Sequence, residues 1–259
     1  ASGFIPQKEE APVGVVYNMK ICIWITKIFD LGGTKRVVSL LANELVKEHE
    51  VTIMTYEDRF REDRTMYHLS EDINVDFIDN SQFVNKHHTP AFCARYLVKK
   101  LNDRSGMFNK KSLNPILAEA IFPQKTREKW VEYFNSQDYD VILTTASLSL
   151  RLAMIAPRLK AATIGWQHNC YDGYLHVKPV VFWQQENLLQ QYLPNLDRYI
   201  VLSDYDKRDY MEKLGIDCEV KINPRSFVSE KKCDVKSKRF LMATRFVYAK
   251  GLDLMMESF

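Results

Sequence analysis

The chain lacks paired cysteines, an apolar run of bilayer length and any large charge imbalance, and each absence removes a class of protein. Its five cysteines (Cys22, Cys93, Cys170, Cys218 and Cys233) are odd in number, scattered, and never spaced Cys-x-x-Cys. That pattern argues against a disulfide scaffold or a cysteine zinc site and fits a reduced, cytosolic compartment. The longest charge-free stretches, such as Val141 to Leu150, fall far short of the roughly 20 residues that cross a bilayer. Residues 1–18 have no basic start and no apolar core, so they do not read as a signal peptide. They are expected to form a leader or tag-like arm, with Met19 directly before the first strand. Lys and Arg number 36 against 33 Asp and Glu, a net charge of +3. With no Arg/Lys-rich helix and no aromatic RNA-binding signature, nucleic acid is not an expected partner. No internal repeat, low-complexity tract or G-x-G-x-x-G fingerprint is present, and the missing fingerprint argues against a nicotinamide or flavin site.

What is present is alternation. Short β-branched runs recur as Ile21–Thr26, Val51–Thr55, Val75–Ile78, Val141–Thr144, Ala161–Trp166, Tyr199–Leu202, Glu219–Ile222 and Phe240–Ala243. Continuous runs of this length suit strands buried on both faces of a parallel sheet. Helical patterns separate most of them. In Thr34 to Lys47, Val37, Val38, Leu41 and Leu45 share one stripe. Before Asp204 to Leu214, Ser203 and Asp206 have capping-box spacing. The expected fold is therefore α/β, a doubly wound Rossmann-like parallel sheet over residues 19–222. A chain of 259 residues, 46% hydrophobic, can bury one large core with room for a partial second. A Lys/Ser-rich stretch over 223–238 reads as a linker, and residues 239–259 as the first βα unit of a second, truncated lobe.

One segment interrupts the alternation. Residues 83–130 hold ten Lys/Arg against three acids, an excess larger than that of the whole chain. Within it Phe92, Cys93, Tyr96, Leu97 and Leu101 share a helical face beside Arg95, Lys99, Lys100 and Arg104, with Lys110 and Lys111 following. Such a helix suits an anionic membrane surface, each nearby cation adding about 1 kcal/mol. The alternative is a core-packing helix with a solvated basic face.

Ligands of open α/β sheets sit at the carboxyl ends of strands. The first such end, Thr26 to Thr34, carries Gly32-Gly33 before a helix, where free N–H groups and the helix dipole favour a diphosphate. Glu57 and Asp58, ending the second strand, stand where the rival dinucleotide site would place a ribose-binding acid, a reading that the absent G-x-G-x-x-G argues against. His168, with Asn169 beside it, follows the strand Ala161 to Trp166 and can exchange a hydrogen bond with a sugar hydroxyl. Arg245 and Lys250 lie five apart before a helix, a cationic pair suited to an anion. No metal site is expected. The histidines His87 and His88 are adjacent and their side chains diverge; of the triplets Asp138-Tyr-Asp140 and Asp204-Tyr-Asp206, the first precedes its strand and the second contains a helix cap.

In order along the chain, L-G-G-T-K-R-V-V-S-L-L-A-N-E-L with H-E-V-T-I-M-T, then G-W-Q-H-N-C, D-R-Y-I-V-L-S-D-Y-D-K-R-D-Y, I-N-P-R-S-F and A-T-R-F-V-Y-A-K-G-L-D resemble the family-4 (group 1) glycosyltransferases, notably their bacterial surface-polysaccharide members. The resemblance runs from about residue 20 to the end of the chain. It implies a GT-B fold, with an acceptor lobe followed by a nucleotide-sugar lobe. It implies that Gly32 and Gly33 approach the donor diphosphate and that His168 is the catalytic contact to the transferred sugar, with Asn169 touching sugar or acceptor. Arg245 and Lys250 would neutralise the departing diphosphate without a metal. The implied reaction moves a hexose from a nucleotide sugar, UDP-linked by preference, to a glycan or lipid-linked glycan, with no cofactor. The enzyme would be cytoplasmic, at the inner face of the plasma membrane. Thr34 and Thr244 depart mildly from the family pattern. The family's E-x₇-E segment is expected beyond Phe259, so this chain alone is expected to be inactive. Two alternatives stand beside this reading: a non-catalytic acceptor-lobe or membrane-docking module, and a nucleotide-binding epimerase or dehydrogenase.

Overall fold

The computed structural model describes residues 18–57, 59–79, 81, 83, 89–177, 181–231, 234–244, 246 and 250–258. They fall into two compact units, Ala1–Ser226 and Phe227–Phe259. His87, His88, Cys233 and Arg245 lie outside the described residues.

In the first unit seven strands form one parallel sheet in the order β3-β2-β1-β4-β5-β6-β7. The strands are β1 (Lys20–Ile25), β2 (Glu50–Thr55), β3 (Asn74–Phe77), β4 (Val141–Thr145), β5 (Ala162–Trp166), β6 (Arg198–Val201) and β7 (Glu219–Val220). Seven of the eight apolar runs became these strands, which is the expected Rossmann-like sheet. Helices fill the connections: α1 (Gly33–Leu45), α2 (Pro90–Ser105), α3 (Asn114–Ile121), α4 (Gln124–Ser136), α5 (Ser147–Ile155), α6 (Tyr171–Leu175), α7 (Glu186–Tyr192) and α8 (Asp204–Leu214).

The sheet is buried on both faces because successive strand side chains point to opposite sides. On β1, Ile21, Ile23 and Ile25 pack with Val37, Val38 and Ala42 of α1. Cys22 and Trp24 point the other way, into a core shared with α4, α5, α7 and α8. Closely packed aromatics fill this second layer. The Trp130 ring lies 3.9 Å from Phe83, 4.6 Å from Trp24 and 5.3 Å from Phe134, centroid to centroid. Ser203 caps α8 as its spacing implied, its Oγ accepting from the Asp206 N–H at 3.1 Å.

The eighth run behaves differently. Phe240–Ala243, expected as a strand, is irregular, with Phe240 and Leu241 largely exposed. A strand needs neighbours to satisfy its N–H and C=O groups, and no described strand pairs with this one. The second unit's one described α-helix is α9 (Leu252–Glu257).

Candidate active site

The strand order reverses direction between β1 and β4, both central in the sheet, and an open α/β sheet binds ligands in the crevice outside such a switch point. A cavity of about 640 Å³ opens there, lined by Thr26 and Lys27 after β1, Tyr56, Glu57 and Arg61 after β2, and Ser147, Leu148 and Arg151 after β4. Its rim is built rigidly. Glu57 is buried, and its Oε2 accepts from the N–H of Ile28 at 2.5 Å and of Phe29 at 2.8 Å. The Tyr67 hydroxyl accepts from the Gly32 N–H at 2.8 Å. The β1–α1 loop is thus held from below by a carboxylate and at its end by a phenol. Glu57 is therefore a clamp on this loop, which the ribose reading did not anticipate; Asp58 lies outside the described residues.

Between β4 and α5, Ala146 has φ 51° and ψ −128°, a conformation that disfavours a side chain and stores strain beside the cavity. Arg151, one turn into α5, stacks over the Phe122 ring at 5.7 Å and lies beside the Tyr56 hydroxyl. Burial pushes that hydroxyl up to about 12, and the guanidinium opposes the shift.

At the start of α1, Gly32 is extended at φ 167°, so its backbone does not require glycine. A side chain there would meet only the flexible end of Lys35, and one at Gly33 would meet nothing within 4 Å. The first turn of α1 therefore faces open space, with no side-chain cap on its N–H groups.

His168 stands just past β5, on a loop tied by several hydrogen bonds. Gln167, fully buried, accepts from the Tyr199 hydroxyl at 2.9 Å and donates to the Asn169 carbonyl at 2.6 Å. The His168 N–H reaches the Tyr174 hydroxyl at 3.4 Å, and Asn169 Oδ1 accepts from the Cys170 N–H at 3.0 Å. Gly165 allows this close packing: a Cβ there would sit 2.8 Å from the Tyr199 ring. The His168 imidazole lies tilted against Trp166, 4.4 Å between centroids, and both its ring nitrogens lack a well-aligned hydrogen-bond partner. Asn223, whose Oδ1 is likewise unpartnered, approaches the ring and favours its charged form.

The profile of Glycosyltransferase Family 4 matches residues 31–226, ending where the first compact unit ends. The chain belongs to glycosyltransferase family 4. Among solved structures, the lipopolysaccharide outer core galactosyltransferase WaaB is 16% identical, covering 80% of this chain and 46% of its own, with a TM-score of 0.46. Sucrose-phosphate synthase from Thermosynechococcus elongatus is 14% identical, covering 78% and 47%, at 0.47. A UDP-glucosyltransferase from Polygonum tinctorium is 11% identical, covering 83% and 54%, at 0.40. The chain spans about half the length of these structures. No curated protein matches it.

In this family-4 chain the expected site residues are distributed unevenly. Gly32, Gly33, His168 and Asn169 all lie at the carboxyl edge of the sheet, after β1 and β5. Lys250 is exposed in the second unit. On α2, Arg95 turns to the protein and pairs with Glu119 at 3.7 Å, and Lys99 lines a second cavity with it. Lys100 lies over the Tyr96 ring at 5.0 Å, and Arg104, Lys110 and Lys111 are exposed. The D-x-D aspartate Asp206 is engaged by Ser203 and by the Tyr171 N–H at 2.9 Å. Gln167 and Arg151 were not singled out as site-forming residues, and Glu57 was read only as a ribose-binding acid. Their signal was positional: each sits within six residues of a strand's carboxyl end.

Burial lowers the His168 imidazole from its ordinary 6.5 to about 4, with Asn223 opposing the shift. The ring is therefore neutral at pH 7 and able to donate from one nitrogen and accept at the other. Between pH 6.5 and about 4 the unfolded chain binds the proton that the native ring refuses. This contribution to stability is whole above 6.5 and is lost as pH falls through that window. His168→Gln should flatten that part of the profile in urea unfolding at a series of pH values. An equally steep decline in the variant would contradict the assignment.

Proposed function

We propose that the chain forms the acceptor lobe of an enzyme that transfers a hexose from a nucleotide sugar, UDP-linked by the motif resemblance, to a glycan or lipid-linked glycan in surface polysaccharide synthesis. The observation that carries this reading is His168. In a family-4 chain, a neutral imidazole with two unsatisfied nitrogens stands at the carboxyl edge of the sheet, beside a Gln167 that is bonded to Tyr199 and to Asn169. A sugar hydroxyl answers both needs of such a ring, accepting from one nitrogen or donating to the other. In this reading Arg245 and Lys250 meet the charge of the departing diphosphate, with no metal ion and no cofactor.

The location proposed is the cytoplasmic face of the plasma membrane. Among the described residues no helix is long and apolar enough to cross a membrane. What supports peripheral contact is α2, where Cys93, Tyr96, Leu97 and Leu101 are exposed beside Lys100 and Arg104. Flotation with vesicles containing phosphatidylglycerol tests it: Leu97→Glu should abolish co-flotation, and unchanged flotation would end the proposal.

The transfer reaction is tested with a polypeptide carrying this chain and a nucleotide-sugar lobe, incubated with a panel of nucleotide sugars and membrane glycolipid extract. Incorporation of label from one donor is expected. No incorporation from any donor would overturn the reading in favour of a non-catalytic module.

A further inference from the structure

Resting on the transferase reading, we infer that the cavity outside β1, β2 and β4 selects an anionic acceptor, one whose sugar carries a phosphate or a carboxylate seated on Arg61 and Arg151. Three cations line this cavity, and among the described residues that line it the one carboxylate is Glu57. Its Oε2 is taken by the N–H groups of Ile28 and Phe29, and its single charge stands against three cations. Lys27 is paired with Asp30 at 3.7 Å, but neither arginine has a carboxylate oxygen within 4.0 Å among the described residues. Two guanidinium groups converging on one cavity, neither in an ion pair among the described residues, are a site for an oxyanion, which each can bind through two parallel N–H groups.

The shape of the surroundings fits a sugar on the other side of that anion. Arg151 also lines a neighbouring cavity of about 280 Å³, walled by Phe92, Tyr96, Phe122 and Trp130 and edged by Arg95 and Lys99. Its guanidinium over Phe122 thus stands at the junction of a polar pocket and an aromatic groove. An acceptor with its oxyanion at Arg151 keeps its hydroxyl-rich part at the sheet edge, against Thr26 and Ser147, and its less polar part along the aromatic wall.

The test is a calorimetric titration of the 259-residue chain with glucose 6-phosphate, glucuronate, glucose and inorganic phosphate. Glucose 6-phosphate or glucuronate should bind about tenfold or more tightly than glucose and than phosphate alone. The tighter of the two identifies the oxyanion as phosphate or carboxylate. Arg151→Gln and Arg61→Gln should each weaken that binding about tenfold, and Arg208→Gln on α8 should leave it unchanged. Arg61 sits on an exposed turn, so its variant reports binding even if Arg151→Gln fails to fold. Equal binding of glucose, equal binding of phosphate alone, or indifference to both arginines would overturn the inference. The titration uses no donor, so its failure leaves the transferase reading standing, and an absence of donor-dependent transfer leaves the anionic cavity standing.

Discussion

Trp130→Ala is expected to lower the free energy of unfolding by about 3–5 kcal/mol. Trp130 is 1% exposed and joins the sheet to α4, stacking on Phe83, meeting Tyr133 edge-on and lying tilted against Trp24 and Phe134. Removing the indole deletes the transfer term, leaves a cavity its neighbours cannot all collapse into, and breaks several aromatic pairs worth about 0.5–1.5 kcal/mol each. Those pair terms overlap with the burial term, so the range is not their sum. Trp130→Phe should recover about half of the loss. Urea unfolding measures both. A loss below about 1 kcal/mol for the alanine variant would show that this cluster is not what holds α4 to the sheet.

Glu57→Ala is expected to cost about 2–4 kcal/mol, because two N–H groups, of the buried Ile28 and Phe29, would lose their acceptor. Its effect should be local as well as global. The amides of Ile28 and Phe29 should exchange with solvent at least about tenfold faster than in the parent. Glu57→Gln keeps an acceptor oxygen and should lose less than half as much. If the alanine variant unfolded at the parent's urea midpoint with its amide exchange unchanged, the clamp on the β1–α1 loop would be refuted.

Much of the fold was legible because burial on both sheet faces writes itself as short, continuous β-branched runs. Ile21–Thr26 and Val51–Thr55 are examples, and both became inner strands of the sheet. The α8 cap was legible because Ser203 and Asp206 interact within one turn. Phe240–Ala243 had the same composition as a strand and is none, since pairing is a property of neighbours and not of the segment. The stripe on α2 was ambiguous for a related reason: periodicity marks a face without saying what it meets. Cys93, Tyr96 and Leu97 turned to solvent while Val98 and Asn102 turned to the protein.

The site was only half legible. His168 could be found from one strand end, because a histidine after a buried run stands out. The neighbouring cavity could not, since Lys27, Arg61 and Arg151 come from three connections that meet only through the strand order. Glu57 looked like a ligand residue because its position is that of one. Its two backbone partners are 28 and 29 residues away, beyond the reach of any local pattern.

The most direct measurement is the rate of sugar transfer from a nucleotide sugar by a polypeptide carrying this chain and a nucleotide-sugar lobe, compared with its His168→Ala variant. The expected result is transfer by the parent and a fall in kcat of about 10²-fold or more in the variant, the scale for losing one group aimed at the transition state. No transfer by the parent, or a variant with an undiminished kcat, would contradict the placement of the reacting sugar against His168 at the carboxyl edge of this sheet.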